Sequence, residues 1–163
     1  MKDVPLALKP PDPSVRIRPV KLSDVGALHA ACWADRPPIS THQLVARAQQ
    51  SARQGRGLGV VVIKDGPEDI RGYGQLTLWS RSAEISDLMI VEMDRGCGYG
   101  TAIIQYLVRT AREMHAPAVE IGAAVSNPGA LALYRRLGFQ DDHELMLNLG
   151  QGPEPVIYLR LPF

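Results

Sequence analysis

The sequence predicts a mixed α/β (α+β) sheet with the element order β-α-α-β-β-β-α-β-α-β-β. The length of 163 residues and a hydrophobic content of 45% suit one domain with a packed core. Strand-like segments follow one another through short turns, which favours antiparallel pairing. One long helical segment separates the strand-like runs 83–91 and 118–125, and a connection of that kind predicts a single parallel pair of strands.

The first half of the chain predicts one strand, two helices and a hairpin. Residues 14–20 (SVRIRPV) alternate apolar and basic side chains, as a strand does. The segment LSDVGALHAACW predicts the first helix, with Ser23 as its N-cap. THQLVARAQQSARQ predicts the second helix, entered through Ser40 or Thr41. Residues 58–80 contain two strand-like runs around an Asp-Gly turn and predict the hairpin.

The second half predicts four more strands and two more helices. AEISDLMIV (83–91) and AVEIGAAV (118–125) are strand-like, and GTAIIQYLVRTAREM between them has the clearest helical spacing of apolar residues. GALALYRRLG predicts a short helix closed by Gly138, and HELMLNL and PVIYLRL predict the last two strands. The proline-rich residues 1–13 predict a flexible N-terminal arm, and residues 14–163 predict a single domain.

Composition argues against several classes of function. The net charge of +1 provides no basic field for nucleic acid. Cys32 and Cys97 suggest no disulfide framework, and without a C-x-x-C motif or a histidine cluster we predict no metal site. No segment approaches the roughly 20 apolar residues of a membrane span, so we expect no membrane partner. Because the N-terminus is unlike a signal peptide, a cytoplasmic location is expected.

The glycine run RGCGYG, residues 95–100, joins a predicted strand to a predicted helix. The first turn of a helix presents N–H groups without intrahelical partners and the positive end of the helix dipole. Glycines let the backbone curl so that these N–H groups converge on one anion. With Arg95 at its rim, the run predicts a diphosphate cradle, and the alternative is a tight strand-to-helix turn.

A dinucleotide is the first diphosphate to consider for this loop. The fingerprint G-x-G-x-x-G is matched by Gly96 and Gly98, but Thr101 occupies the third position. Glu120 lies about 20 residues further on, where a ribose-binding acid is expected. The predicted antiparallel strands do not suit a doubly wound sheet, and the Gly-Lys-Ser/Thr of nucleotide hydrolases is absent. A nucleotide-binding oxidoreductase is therefore the weaker alternative.

Two blocks of the sequence resemble the GNAT superfamily of N-acetyltransferases. The first resembles its signature Arg/Gln-x-x-Gly-x-Gly/Ala at Arg95, Gly98 and Gly100. The second, NPGALALYRRLGF, matches the usual block at Asn127, Ala130, Tyr134, Gly138 and Phe139. Together the blocks cover 83–139. The resemblance implies the GNAT fold and transfer of an acetyl group from acetyl-CoA to a primary amine, by direct attack in a ternary complex.

The resemblance also implies residues that bind coenzyme A. The pyrophosphate would be held by the loop Arg95, Gly96, Cys97, Gly98, Tyr99, Gly100 and Thr101. The strand before the loop carries a bulge in this superfamily and diverges from its parallel neighbour. Pantetheine would enter that gap beside Met89, Ile90 and Val91, and the amide of Met89 or Ile90 would be the oxyanion donor. Asn127 would contact pantetheine, cap the following helix, or do both.

Three side chains are the candidate catalytic groups. Tyr134 matches the tyrosine that protonates the departing sulfur, and its alternative role is to pack the short helix on the sheet. A base must deprotonate the amine, and Glu84 and Asp87 are the candidates. Strand alternation points those two to opposite faces, so one of them is expected at the site, with a slight preference for Glu84. Cys97 occupies a variable position and is not expected to be catalytic.

The acceptor site should be built by the variable parts, which are roughly 30–43 and 140–156. Trp33, Tyr73 and Trp79 are candidate substrate-binding residues. The acceptor stays open among small-molecule amines, protein N-termini and lysine side chains. The sequence has no acidic stripe of the kind that would indicate a polyamine site. Relatives that pair through their last strands suggest a homodimer. The alternative function is a non-catalytic acyl-CoA-binding sensor.

Overall fold

The computed structural model describes residues 15–163, so the predicted N-terminal arm, residues 1–13, lies outside the described residues. Its seven strands and four α-helices follow the predicted order. They are β1 (Arg16–Pro19), α1 (Val25–Cys32), α2 (Pro38–Arg53), β2 (Gly57–Ile63), β3 (Ile70–Leu78), β4 (Ala83–Ile90), α3 (Tyr99–Glu113), β5 (Ala118–Ala124), α4 (Pro128–Arg136), β6 (Gln140–Asn148) and β7 (Pro153–Pro162). None of the helices within 15–163 has the length and apolar character of a membrane span.

The strands form one sheet in the order β1-β2-β3-β4-β5-β7-β6. Every neighbouring pair is antiparallel except β4 and β5, which are parallel. The single parallel pair confirms the prediction made from the helix between 83–91 and 118–125. A doubly wound dinucleotide-binding sheet needs several parallel strands, so this topology rules it out for the described part of the chain.

Strand β4 carries a bulge and then separates from β5. Tyr73 pairs with Met89 and Gln75 pairs with Ser86, so two residues of β4 oppose one residue of β3. These two residues are Asp87 and Leu88, and the φ of Asp87 is +54°, in the left-handed region. Pairing of β4 with β5 is limited to Ala83–Ile85 with 119–121. The bulge and the opening expected for this strand are therefore present.

Helices cover both faces of the sheet, two on each face. Helices α3 and α4 pack on one face of the sheet. The apolar stripe predicted for the long helix is buried on α3, and its residues are Ile103, Ile104, Leu107, Val108 and Ala111. On the other face α1 and α2 bury Leu28 and Val45 against β2 and β3. The helix pairs thus lie on opposite faces, and α3 and α4 border the point where β4 and β5 separate.

The start of α1 differs from the prediction that Ser23 is its N-cap. A 3-10 turn, Leu22–Asp24, precedes the helix, and the N-cap position of α1 is Asp24, whose side chain makes no capping hydrogen bond to the helix. Its Oδ2 accepts a hydrogen bond from the Lys21 N–H at 2.8 Å, and both its oxygens accept from Arg18 at 2.8 Å. Burial would raise the pKa of Asp24, but the Arg18 and Lys21 hydrogen bonds hold it below its usual range.

Helix α2 begins at Pro38, two or three residues before the predicted entry at Ser40 or Thr41. Proline suits the first turn of a helix because it needs no N–H partner there and its φ is already helical. The Ser40 hydroxyl donates to the Pro37 carbonyl at 2.7 Å, which stabilises this turn from inside the helix. The prediction gave the two prolines to the preceding loop and thus misplaced the boundary.

Candidate active site

The glycine run forms the turn between β4 and α3. Gly96 and Gly98 have φ of +79° and +88°, and Gly98 is the N-cap of α3. The first hydrogen bond of α3 in this turn runs from the Ala102 N–H to the Gly98 carbonyl at 3.0 Å. The N–H groups of Gly100 and Thr101 precede this bond in the chain, so no carbonyl of α3 is in position to accept a hydrogen bond from them. They face outward at the positive end of the helix dipole, where an anion binds favourably.

A cleft of about 860 Å³ opens beside this turn. It lies between the end of β4, the start of α3 and the α4 helix. The cleft brings together all the predicted cofactor-binding residues except two: Met89, Ile90, Arg95, Gly96, Gly98, Tyr99, Gly100, Thr101, Asn127 and Tyr134. Sequence analysis missed the other lining residues: Leu88, Asp94, Gly129, Ala130, Leu133 and Arg136.

Val91 and Cys97 are the two predicted residues that do not line the cleft. The Val91 N–H donates to the Arg71 carbonyl at 3.0 Å, and the Val91 carbonyl accepts from the Asp94 N–H at 3.0 Å. Both backbone groups of Val91 are therefore engaged. Cys97 is exposed, and its N–H donates to the Asp94 carbonyl at 3.3 Å. These hydrogen bonds of Val91 and Cys97 are thus with the protein's own backbone, and the predicted contact of both residues with the cofactor stays a prediction.

The direction of the β4 backbone separates the two predicted oxyanion donors. The Val91 N–H points to β3, because it bonds the Arg71 carbonyl. Backbone groups alternate in direction along a strand, so the Met89 N–H also points to β3 and the Ile90 N–H points away from it. On that outer side, the Arg95 Nε donates to the Ile90 carbonyl at 3.2 Å. Of the two, only the Ile90 amide faces the opening between β4 and β5.

Helix α4 holds Tyr134 through caps at both of its ends. At its start, the Asn127 Oδ1 accepts from the Ala130 N–H at 3.2 Å, so the capping role predicted for Asn127 is present. At its end, the Phe139 N–H donates to the Tyr134 carbonyl and the Gly138 N–H to the Arg135 carbonyl, both at 3.1 Å. With Gly138 at φ +97°, this is a Schellman motif.

The Tyr134 ring packs against Phe139 with the ring centroids 6.5 Å apart. This contact between the two sides of the helix end commonly accompanies the Schellman motif. Burial raises the pKa of Tyr134 to about 12. The phenol is therefore protonated throughout the neutral range and can donate a hydrogen bond into the cleft.

Glu84 and Asp87 border one small pocket of about 170 Å³, contrary to the prediction that only one of them faces the site. Plain alternation fails because the bulge at Asp87, with its left-handed φ, changes the direction of β4. The β4 residues of the cleft begin at Leu88 and those of the pocket end at Asp87, so the two linings are adjacent along β4. Three other pocket residues, Leu147, Leu149 and Val156, lie in the range 140–156 predicted for the acceptor site. The rest were not predicted from sequence: Ile85, Ser86, Gly122, Ala123, Ala124 and Tyr158.

The environment of Glu84 favours its protonated form. Burial raises the pKa of Glu84, and the charges of Glu120 and Asp87 raise it further, while a hydrogen bond with Trp79 opposes the shift. Glu120 is the partner of Glu84 in the parallel pairing of β4 and β5. A carboxylate with a raised pKa is a better proton acceptor, which suits Glu84 to the role of general base.

The three predicted acceptor-binding residues do not share a surface. Trp33 is 4% exposed and Tyr73 is 0% exposed, and their rings pack edge to face at 5.5 Å. The Tyr73 hydroxyl donates to the Gln75 Oε1 at 2.7 Å. Both rings therefore belong to the core under α1 and α2, and neither offers an acceptor a surface. Trp79 is 61% exposed and stays a candidate.

One group of side chains within residues 15–163 could hold a metal ion, namely Glu120, Asp142 and His143. Its charges already have partners. The Arg160 Nη1 lies 3.3 Å from the Glu120 Oε1, and the His143 Nδ1 lies 2.8 Å from the Asp142 Oδ2. No metal was predicted from the sequence, and that absence stays a prediction.

An ion pair beneath the glycine turn was not predicted. The Arg71 Nη1 on β3 donates to the Asp94 Oδ2 at 2.9 Å, and Asp94 is among the few buried charged residues of the described chain. The two residues are 23 positions apart, so no local sequence pattern connects them. Only the pairing of β3 with β4 brings them together.

The family model described as "Acetyltransferase (GNAT) family" matches residues 24–139. N-alpha-acetyltransferase MAK3 of Arabidopsis thaliana is 33% identical over 88 residues, which are 53% of this chain and 40% of the plant protein. The chain spans only 26% and 40% of the length of the curated relatives that it matches.

Two solved structures share the fold at low identity. One is an acetyl transferase of Salmonella typhimurium that modifies the N-terminal serine of ribosomal protein L7/L12. It has a TM-score of 0.79 and 17% identity, and the alignment covers 94% of this chain and 98% of that one. The other is a dodecameric spermidine N-acetyltransferase of Vibrio cholerae, with a TM-score of 0.74, 18% identity and coverages of 93% and 95%. The family model spans most of the chain and both of its motif blocks. The chain belongs to the GNAT acetyltransferase family.

Proposed function

We propose that this protein transfers an acetyl group from acetyl-CoA to a primary amine. The observation that carries the proposal is the cleft, which is lined both by the start of α3 and by Tyr134. The Glu84 pocket adjoins the cleft along β4, where Asp87 of the pocket is followed by Leu88 of the cleft. A donor in the cleft and an acceptor in the pocket would thus meet in one ternary complex, as direct attack requires.

The donor would be held mainly by backbone groups. The N–H groups of Gly100 and Thr101 would bind the pyrophosphate, and Arg95 would add positive charge at the rim of the cleft. The Ile90 N–H would bind the thioester oxygen as negative charge develops on it. These residues fit the group in chemistry, since a diphosphate needs converging donors and a thioester carbonyl needs one fixed donor.

The pocket would position the amine and take its proton. An alkylammonium has a pKa near that of lysine, about 10.4, so a base must remove a proton before the nitrogen can attack. Glu84 would accept that proton, directly or through water, as the new C–N bond forms and the C–S bond breaks. The leaving group is then a thiolate, and it departs toward the cleft where Tyr134 lies.

Tyr134 would act on the leaving sulfur as a hydrogen-bond donor. With a pKa of about 12, Tyr134 is a weaker acid than a thiol, whose ordinary pKa is about 8.5. Complete proton transfer from Tyr134 to the thiolate is therefore unfavourable in free energy while water is excluded from the site. The hydrogen bond itself stabilises the developing negative charge on sulfur, and solvent supplies the proton on release.

The class of amine acceptor and the oligomeric state are proposed only in general terms. The pocket combines two carboxylates with apolar residues such as Leu147 and Val156, which suits a primary amine but does not select one class. A dimer paired through the last strands is compatible with β6, an edge strand whose Leu145 and Met146 are 45% and 63% exposed. A cytoplasmic location likewise stays a prediction.

Thermal denaturation tests the proposal most directly. A ligand present at about 100 times its dissociation constant stabilises the native state by about 2.7 kcal/mol, which raises Tm by roughly 5–10 °C in a chain of this size. We expect that rise with acetyl-CoA and none with NAD⁺. Thiol release with a panel of primary amines then separates an enzyme from an acyl-CoA sensor, which binds without turnover. An unchanged Tm with acetyl-CoA would contradict both the enzyme and the acyl-CoA sensor.

Glu84→Gln should lower the rate and raise the stability. Loss of the base should reduce kcat/KM for the amine about 100-fold and remove the acidic limb of its pH profile. Because the folded state raises the pKa of Glu84, unfolding becomes easier as pH rises through the interval between the ordinary and the raised value. The glutamine variant should therefore have the higher Tm at pH 7, and the difference should vanish below the ordinary glutamate pKa.

Asp87→Asn is the control for this prediction, because Asp87 borders the same pocket but is exposed. We expect the asparagine variant to retain the acidic limb. If the limb disappears in Asp87→Asn and persists in Glu84→Gln, the two residues exchange roles and Asp87 is the base.

A further inference from the structure

Arg71 contacts the turn that leads into the glycine run at two points. Its carbonyl accepts the Val91 N–H at 3.0 Å, and its Nη1 donates to the Asp94 Oδ2 at 2.9 Å. The Nε donates to the Asp69 Oδ1 at 2.8 Å, which fixes the guanidinium from the other side. The backbone and the side chain of one β3 residue thus bind both ends of the 3-10 turn Glu92–Asp94.

Asp94 connects that turn to the anion site. It lines the cleft, its side chain is 9% exposed, and its carbonyl accepts the Cys97 N–H at 3.3 Å. A buried carboxylate close to a diphosphate repels it unless a cation neutralises the charge. Arg71 provides that cation and also fixes the direction in which the turn delivers residues 96–101.

We propose that Arg71 is the positioning residue of the pyrophosphate loop. It acts through Asp94, holding the turn and neutralising the carboxylate so that the loop N–H groups meet the diphosphate. Arg71 itself is absent from the cleft lining, so it orients the loop and makes no contact with the donor. The inference rests on the proposed binding of acetyl-CoA in this cleft.

A purely structural ion pair is the competing explanation, and the chain contains a matched control for it. Arg18 and Asp24 form a similar pair, with side chains 20% and 6% exposed against 19% and 9% for Arg71 and Asp94. The Arg18 pair joins β1 to the turn before α1, and neither residue lines the cleft. Arg18→Met therefore leaves a buried carboxylate without its partner, at a distance from the loop.

The test compares two acetyl donors, acetyl-CoA and S-acetylpantetheine, which has the thioester but no diphosphate. In Arg71→Met, we expect KM for acetyl-CoA to rise about tenfold, equivalent to about 1.4 kcal/mol, with kcat nearly unchanged. The value of kcat/KM for S-acetylpantetheine should stay at the wild-type level. Arg18→Met should lower Tm to a similar extent and leave both donors unaffected.

Arg71→Lys keeps the charge but loses the planar fork that bridges two carboxylates. The preference for acetyl-CoA over S-acetylpantetheine should therefore decrease in the order wild type, lysine variant, methionine variant, and the lysine variant serves alone if methionine prevents folding. Equal losses with both donors, or no loss with acetyl-CoA, would overturn the inference. A wild-type protein that binds no acetyl-CoA in calorimetry would instead refute the proposed function, and the inference with it.

Discussion

Gly98→Val eliminates acetyl-CoA binding, and the protein remains folded: this is the largest single effect that we expect. Gly98 is the N-cap of α3 at φ +88°, a conformation that a β-branched residue adopts only with strain, at a cost of about 1–3 kcal/mol. Valine would therefore pull the turn toward negative φ and redirect the N–H groups of Gly100 and Thr101. Its branched side chain would also stand among the residues that line the cleft. Isothermal titration with acetyl-CoA measures the loss, and circular dichroism checks the fold.

Gly55→Val is the matched control for strain. Gly55 follows α2 at φ +68°, a Cβ there meets nothing within 4 Å, and the residue does not line the cleft. Both variants should lose several degrees in Tm, since they place the same side chain in the same backbone region. Only the Gly98 variant should lose the ligand. Equal affinity in both variants would show that the glycine run is a turn and not a cradle.

The features predicted correctly are those encoded by local chemistry. A helix needs a stop signal at its end, and Gly138 correctly predicted the end of the helix that holds Tyr134, where the structure has a Schellman motif. The turn at Gly98 was predicted from a strand-like run that is followed by closely spaced glycines and an apolar helical stripe. In each case a few adjacent residues carry the information, because the hydrogen bonds concerned are between neighbours in the chain.

The features missed are those that depend on partners distant in sequence. Tyr73 and Trp33 look like the wall of an acceptor site until the packing of α1 on β3 buries both. The alternation rule for Glu84 and Asp87 fails at a bulge that is defined only by pairing with β3. The same limit applies to Gly122 and Tyr158, which border the Glu84 pocket together because β5 pairs with β7.

Tyr134→Phe should lower kcat about 100-fold and change the affinity for acetyl-CoA less than twofold. The lost hydroxyl donates to the leaving sulfur only as negative charge develops there, so its removal affects the transition state and not ground-state binding. The phenylalanine ring keeps the contact with Phe139 at the end of α4, so the fold and the cleft should be unchanged. Single-turnover acetyl transfer and calorimetry with acetyl-CoA measure the two quantities separately.

The pH profile distinguishes a hydrogen-bond donor from a residue that must ionise. Because burial raises the pKa of Tyr134 to about 12, the wild-type rate should show no alkaline decline from this group below about pH 11. Tyr106→Phe is the control, since Tyr106 lies on α3, packs at the edge of the same core and does not line the cleft. It should transfer acetyl groups at the wild-type rate. If Tyr134→Phe does the same, the tyrosine only packs α4 on the sheet, and the leaving thiolate is stabilised by the start of α3 or by water.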